Sequence, residues 1–576
     1  MVAQDVIEAT ARVLDGAPPA LADLAVAHLG EAAPGLLRED PWALLAVPGV
    51  RPEQADAFAR AQLGPAARPG DPRRGRGLVA WLLERAALDG HTVVPARKVR
   101  AALAGCGVPD PAAAVATALE DGRVLEFTLP EAALPEQVGD APGDAAGAEQ
   151  ADERLLALDR YAMAEDTVAE SVARLLATAE PWPGGLPGRI GSGAPARLTD
   201  AMAGHGVVLA RYAGRYGELV RAVGALAQAA AVPAALITPT AAQEPLDGLS
   251  DACVPWSLRR WFAERAGGLR DAASEPRVIV LVEAHALDVA TAGALLESTP
   301  DGCRVVLAGD PDQLPACGPG RAFGDLVESG ACPVVDLDGP GDGCATPLAR
   351  LAAGVRAGEL PRVEDPQRRL VVVPARHAGE AVHRVVQLVT DSIPRALGIP
   401  SDQVQVLTPR HRGLAGTRGL NAALRDALRS GDPAGPAPGP SVGDRVVVTR
   451  TLPGAGLVAG ETGVVTLRDE AGLVVQFADG SVEVRGALVR QALRPGWAIS
   501  VPRATGSCWP AAVAVLPGEA AGSLSRALVL TAFTRGVRHL SVVHAAGRAL
   551  AHAVAREEGR RRLTRLRHLL RAEYGL

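Results

Sequence analysis

Residues 277–320 read RVIVLVEAHALDVATAGALLESTPDGCRVVLAGDPDQLPACGPG. Two short apolar runs, VIVLV at 278–282 and RVVLAG at 304–309, each lead into acidic residues and flank a segment with helical spacing. A strand, a helix and a second strand with carboxylates at the strand ends constrain this region to an open α/β sheet. Such sheets hold their ligands outside the carboxyl ends of the strands, so a nucleotide-handling site is expected here.

At 576 residues the chain is too long for one core and predicts three to five domains. A hydrophobic fraction of 48% and a charged fraction of 22% belong to a globular protein. No run of about 18 residues is apolar and free of charge or proline, and MVAQDVIEAT lacks a basic-then-apolar signal pattern. The expectation is a cytoplasmic protein with no membrane partner. Seven scattered cysteines without CxxC spacing imply neither a disulfide framework nor a zinc site, and no metal ligand set is read. A net charge of −6 means that any nucleic-acid contact must come from local patches. The chain has a single lysine, Lys98, and arginine supplies every other basic charge. A compact ammonium fits between phosphate oxygens where a planar guanidinium fork does not.

GDPDQLP at 309–315, followed by GPG at 318–320 and preceded by VEAH at 282–285, resembles motif III and the DEAS segment of the RecD-like branch of superfamily 1 DNA helicases. The resemblance covers roughly residues 33–548. It implies an α/β fold of two RecA-like motor domains, with N-terminal helical helix-hairpin-helix and winged-helix-like modules and an SH3-like β-barrel insert. The boundaries expected are 1–63 for the helical region, 64–133 for the winged-helix-like module and 134–153 for a flexible linker. The first motor domain is placed at 154–335, beginning with a helix from about 154 to 179. The second occupies 336–440 and 497–548, interrupted by the barrel at 441–496, and a basic helix follows at 549–576.

In the N-terminal region, APGLLREDPWALLAVPGVRPEQADAFARAQLG at 33–64 is similar to the family's helix-hairpin-helix, with Pro48 and Gly49 at the turn. Tight-turn backbone amides at a helix start can hold a DNA phosphate without reading sequence. Arg73, Arg74 and Arg76 fall in a Pro- and Gly-rich linker and are either solvated or free to meet phosphate. GDRV at 443–446 and GVV at 463–465, with alternating apolar positions, carry the resemblance to the barrel. The C-terminal AREEGRRRLTRLRHLLRAEYG reads as one arginine-rich helix with Leu563, Leu566, Leu569 and Leu570 on a single face. A protein partner through the barrel or this helix is one further expectation.

A motor of this family needs a glycine-rich loop ending in Lys-Ser/Thr, because backbone amides and the lysine neutralise phosphates while the hydroxyl holds magnesium. The segment between GVVLA at 206–210 and ELVRAVGALAQAA is RYAGRYG, which keeps Gly214 and Gly217 but has no lysine and no hydroxyl residue. GRIGSGAP at 188–195 also lacks lysine and reads as a loop. Val282 stands where the family has its magnesium aspartate and cannot coordinate a metal. The Arg-Gln pair expected after VVDL at 334–337 is replaced by DGPGDGC. VPRATGSCW at 501–509 keeps only Gly506 and Ser507 of the next motif. The resemblance implies three catalytic residues, Glu283 as the base, Gln313 as the γ-phosphate sensor and Arg535 as the finger, with Gly309 and Asp310 beside the nucleotide. It places Thr238 and Thr240 of ITPT, and Arg410 and Arg412 of TPRHRG, on DNA.

Loss of one preorganised charge-stabilising group lowers a rate by about 10²- to 10³-fold. With several absent together, the expectation is a DNA-binding protein, single-stranded DNA being its partner, whose ATP hydrolysis is weak or lost. The alternatives are an active ATP- and Mg2+-dependent 5′ to 3′ helicase in DNA repair or recombination, and a protein-interaction scaffold on a helicase fold.

Overall fold

The computed structural model describes residues 2–130, 152–180, 193–213, 217–229, 231–240, 253–267, 275–337, 346–428, 439–556 and 561–575. The chain divides into two compact units: Met1–Asp166 with Gly318–Gly320 and Arg561–His568, and the remainder.

The first unit opens with helices Val2–Val13, Pro19–Leu29, Ala33–Glu39 and Pro52–Leu63, as the sequence predicts, with a 3-10 turn at Pro41–Ala46. Leu37, Trp42, Leu45, Val47 and Ala55 are buried together. The expected basic linker is instead helical, from Pro72 to Leu88, and is capped by Asp71 accepting from Arg73 N. Its arginines are engaged by carboxylates. Arg74 is 7% exposed and forks onto Asp56 at 2.8 and 2.9 Å, while Arg73 pairs with Asp71 and Arg76 with Asp40. Neither solvation nor phosphate is the main partner of these side chains.

Three antiparallel strands follow, β1 (Val93–Pro95), β2 (Val124–Pro130) and β3 (Asp152–Leu158), in the order β1-β3-β2. The helix expected from 154 begins only at Asp159. The reason is a period of two: Leu156 and Leu158 enter the helical core while Leu155 and Ala157 face Val93 and Leu563 on the other side. The single C-terminal helix is also corrected. Helices Arg548–Ala555 and Leu566–Tyr574 are separate, and between them Leu563 O accepts from Thr92 N at 3.0 Å. Here Arg565 is 4% exposed, bonded to Glu165 and Asp166 and lying 4.1 Å above the ring of Phe127.

The second unit carries a six-stranded parallel sheet, β4 (Val207–Arg211), β5 (Ala234–Thr238), β6 (Cys253–Ser257), β7 (Val278–Leu281), β8 (Arg304–Gly309) and β9 (Val334–Asp336), in the order β6-β5-β7-β8-β4-β9. β7 and β8 are buried at every residue, the signature of strands covered on both faces. A second parallel sheet starts with β10 (Leu370–Pro374) and β11 (Val404–Thr408). The chain then leaves it to form five antiparallel strands, β12 (Arg445–Val448), β13 (Thr462–Arg468), β14 (Gly472–Phe477), β15 (Gly480–Arg485) and β16 (Leu493–Pro495). It returns as β17 (Ala498–Ser500), β18 (Trp509–Leu516) and β19 (Gly536–His544), giving the order β10-β19-β18-β11-β17. The fold is therefore α/β with two parallel sheets. No described helix is long and apolar enough to cross a membrane.

The antiparallel insert meets the first sheet through Arg259. Its guanidinium reaches Asp479, lies 3.4 Å from Glu461 and sits 5.2 Å above the Phe477 ring. Burial dominates at Glu461, and its carboxyl is pushed up to about 7 despite Arg259. A carboxyl whose folded value exceeds the ordinary 4.5 contributes stability that is full below 4.5 and lost as pH rises through 7. Glu461→Gln is expected to flatten that dependence, so that the difference in thermal midpoint between variant and parent shifts in favour of the variant from pH 4.5 to 7.5. Arg565→Leu leaves Glu165 buried without its cation and is expected to cost about 3 kcal/mol, read from urea unfolding monitored by tryptophan fluorescence.

Candidate nucleotide site

β7 and β8 end side by side, and the residues just past them form a closed polar cluster. Glu283 follows β7 with φ 54° and ψ 34°, a left-handed conformation that costs a non-glycine residue about 1–2 kcal/mol. Tyr212, directly after β4, holds it there: its Oη donates to Glu283 Oε1 at 2.6 Å and accepts from Glu283 N at 3.1 Å. On the next strand, Gly309 allows close passage, since a Cβ would stand 2.9 Å from Phe323 Cε1 and 3.1 Å from His285 N. Asp310 N donates to His285 Nδ1 at 3.1 Å, which leaves the proton on Nε2.

The second sheet closes the cluster with arginines. Arg535, between helix Arg526–Phe533 and β19, is 1% exposed. Nε donates to Thr531 O at 3.0 Å, and Nη1 donates to Ser507 O at 3.0 Å and to Glu283 Oε2 at 3.3 Å. Nη2 donates to Thr534 Oγ1 at 2.9 Å and to Gln313 Oε1. A guanidinium has five N–H donors, and each has an acceptor here. Gln313 is likewise occupied at both ends, because its Nε2 donates to Asp310 Oδ2 at 3.0 Å.

Arg356, the last residue of helix Pro347–Arg356, belongs to no motif of the sequence. It forks onto Asp310 at 2.9 and 2.7 Å, pairs with Asp312, and donates to Ala213 O at 2.9 Å. An arginine thus reaches this site from 19 residues beyond Leu337, where the family's motif gave no reason to look. A basic residue ending a helix that faces two strand-end carboxylates was the available signal.

The electrostatics follow from burial against charge. Burial alone would raise Glu283, but Arg535, His285 and the Tyr212 hydroxyl together hold its carboxyl below the ordinary range. Asp310 is held low in the same way, burial being outweighed by Arg356, and Arg356 is raised in turn against its own burial. His285 is lowered, chiefly by burial, against the opposing pull of Glu283 and Asp310.

The sequence-assigned residues divide clearly. Glu283, Gln313, Arg535, Gly309 and Asp310 come together. Gly217 starts helix Gly217–Ala229, and Gly214 lies outside the described residues. Thr238 ends β5 and Thr240 follows two residues later, but they are 5% and 1% exposed; Thr240 Oγ1 lies 2.8 Å from Ser507 Oγ. Arg410 donates to Glu519 O, and Arg412 is exposed in the loop after β11. Pro48 and Gly49 form the turn before helix Pro52–Leu63 of the first unit, with Gly49 at φ +90°. Among the described residues no group of three His, Cys, Asp or Glu side chains is placed to hold a metal.

Removing the cation from Glu283 tests the cluster. Arg535→Met is expected to cost about 3–5 kcal/mol, as for other broken buried pairs. In the parent, the stability supplied by ionised Glu283 is full above 4.5 and is lost as pH falls through its depressed folded value. The variant should lack this acid limb in a pH series of thermal unfolding.

A family model described as the ATP-dependent RecD2 DNA helicase HHH domain matches residues 7–93, and one described as an AAA domain matches 220–340. The chain is similar to the ATP-dependent RecD2 DNA helicase of Deinococcus radiodurans, with 30% identity over 537 residues, 89% of this chain and 71% of that protein. It is also 29% identical over 288 residues to the RecBCD enzyme subunit RecD of Mycolicibacterium smegmatis, 46% of this chain and 50% of that one. A crystal structure of Pif1 helicase from Bacteroides in complex with ADP-AlF3 and ssDNA matches at a TM-score of 0.36 and 12% identity, over 63% of this chain and 94% of that one. A likeness at that level carries no argument about function.

Proposed function

Because the chain belongs to the RecD2 family of DNA helicases, we propose that it binds single-stranded DNA on a motor fold whose ATP hydrolysis is weak or lost. One observation carries the second half of this reading: all five donors of Arg535 are engaged, two of them by the base and the sensor it would serve alongside. A finger acts by donating to charge that develops on the transferred phosphoryl group. This one has no donor left without breaking a bond to Glu283, Gln313, the Thr534 hydroxyl or a backbone carbonyl.

The composition points the same way. The only lysine is Lys98, which lies in the first unit, and Val282 occupies the magnesium-aspartate position. The residues in place therefore do not fit ATP and Mg2+ as a working pair, and no hydrolytic step is assigned to them. Arg356 favours the active-motor alternative to one extent: it is a cation at the end of β8 that could face phosphate after releasing Asp310 and Ala213 O.

For DNA, the reading rests on the N-terminal hairpin at Pro48 and Gly49 and on the strand-end loops of the second unit. We read residues 64–133 as the winged-helix-like module and 441–496, which carry β12–β16, as the SH3-like insert of the family. Thr238 and Thr240 sit at a strand end that suits DNA contact once the Ser507 bond opens. The loop with Arg410 and Arg412 supplies exposed cations without that requirement. A scaffold that binds neither ligand is the outcome opposite to this proposal.

A paired titration decides. Fluorescent ATP with Mg2+ is expected to give no saturable binding, and a labelled single-stranded oligonucleotide is expected to bind with an affinity that ATP-Mg2+ leaves unchanged. Phosphate release with single-stranded DNA should stay at background, equally in Glu283→Gln. DNA-stimulated hydrolysis that vanishes in that variant would establish the active motor instead.

A further inference from the structure

β12 reads Arg-Val-Val-Val and is buried at every position. Val446 and Val448 enter the core of the antiparallel insert, whereas Val447 packs with Leu407, Ile499 and Ala512 of the second parallel sheet. Alternate residues of a strand face opposite ways, so Arg445 shares the Val447 face and is carried by the insert toward that sheet. A valine there is ordinary, but an arginine is rarely buried unless it is paired.

The pairing of Arg445 is incomplete. Its Nη1 donates to Asp402 O at 3.3 Å and to Val404 O at 3.1 Å, at the start of β11. Among the described residues Nε and Nη2 have no acceptor. Burial lowers the group to about 10, and the charge of Asp402 opposes this only in part. A cavity of about 240 Å³ opens beside it, and two more buried polar residues, Glu461 and Trp509, line the same wall. Arg445, Glu461 and Trp509 are 6%, 2% and 4% exposed. Trp509, the first residue of β18, has no acceptor for its Nε1, and neither oxygen of Glu461 receives a hydrogen bond among the described residues. Arg259 Nε lies 3.4 Å from Glu461 Oε2 but out of line for such a bond, and its Nη2 is taken by Asp479.

Buried donors and acceptors without partners are costly, and more so when charged. This wall therefore sets two conditions on whatever fills it. Arg445 and Trp509 call for an acceptor, and Glu461 calls for a donor. A simple anion would answer the first pair and place a second negative charge near Glu461. A simple cation would answer Glu461 and oppose Arg445. A zwitterion answers both at once and leaves no charge over. The rest of the wall includes Phe477, Cys508 and Pro510, which offer an apolar surface, and the exposed Asp402 and Gln403 mark the mouth. The volume is several times the roughly 30 Å³ that one water occupies in the liquid, which is room for a small molecule.

We propose that this cavity binds a free amino acid with an apolar side chain, its carboxylate on Arg445 and Trp509 Nε1, its ammonium on Glu461 and its side chain against Phe477 and Pro510. The site is independent of the DNA-binding reading. Its occupant touches both the insert and the strands of the second sheet, so binding stabilises the joint between them.

The test uses the full chain at about pH 8, above the Glu461 value of about 7, so that the carboxylate is ionised. Alanine, valine, leucine, methionine and phenylalanine are each titrated and followed by saturation-transfer NMR and by the thermal midpoint. At least one is expected to bind saturably at millimolar concentration or below and to raise the midpoint. Its deaminated acid and its decarboxylated amine, which each keep one of the two charges, should bind about tenfold more weakly, the loss of one charge-assisted contact. Glu461→Gln preserves the shape of the side chain and should weaken the amino acid by a similar factor without weakening the deaminated acid. Trp509→Phe should weaken the amino acid and the deaminated acid but not the amine. If none of the five binds, the site is refuted. Binding that Glu461→Gln leaves unchanged, or a deaminated acid that binds as well as its parent, refutes the zwitterion.

Discussion

The pairing of Arg535 with Glu283 is the constraint on which the second unit depends. It joins the end of a strand in one parallel sheet to the helix–strand junction of the other, inside a region from which water is excluded. Two charges in such a place must satisfy each other and every remaining lone pair. The surrounding residues supply partners for both: Tyr212 for the carboxylate, Ser507, Thr531, Thr534 and Gln313 for the guanidinium. Arg356 and Asp310 repeat the arrangement one strand away. The strand ends of both sheets are here joined by buried charge-assisted bonds.

Much of this could be read from the chain. Continuous apolar runs identify β7 and β8 because a strand covered on both faces has no polar side to show. The carboxylates at their ends, and GDPDQLP after the second, pointed to Glu283, Asp310 and Gln313. The single lysine excluded the ordinary phosphate loop without any need for geometry. Arg356 was not legible, since only packing of its helix against the second sheet decides which strand ends it faces. The same limit hid Arg74 and Arg565, basic residues in arginine-rich segments whose carboxylate partners lie 18 and 400 residues away in sequence.

β3 was missed for a different reason. DERLLAL has both good helix formers and alternating burial, and local propensity favoured continuing the helix that follows. Two separate apolar clusters, one on each side, gave the strand the advantage. The exposed cations show a third kind of limit. Motif resemblance selects Arg410 and Arg412 by position in sequence, and only the fold shows that Arg410 is held by Glu519 O while Arg412 is exposed.

Thr92 and Leu563 share a backbone hydrogen bond across 471 residues of chain. The unit that contains the first helices is thus completed by residues synthesised long after them. Growing chains usually fold their N-terminal domain while the rest is still being made. Here the apolar face around Val93, Leu155 and Ala157 must wait uncovered until Leu563 leaves the ribosome, and throughout that interval it is a natural client surface for chaperones.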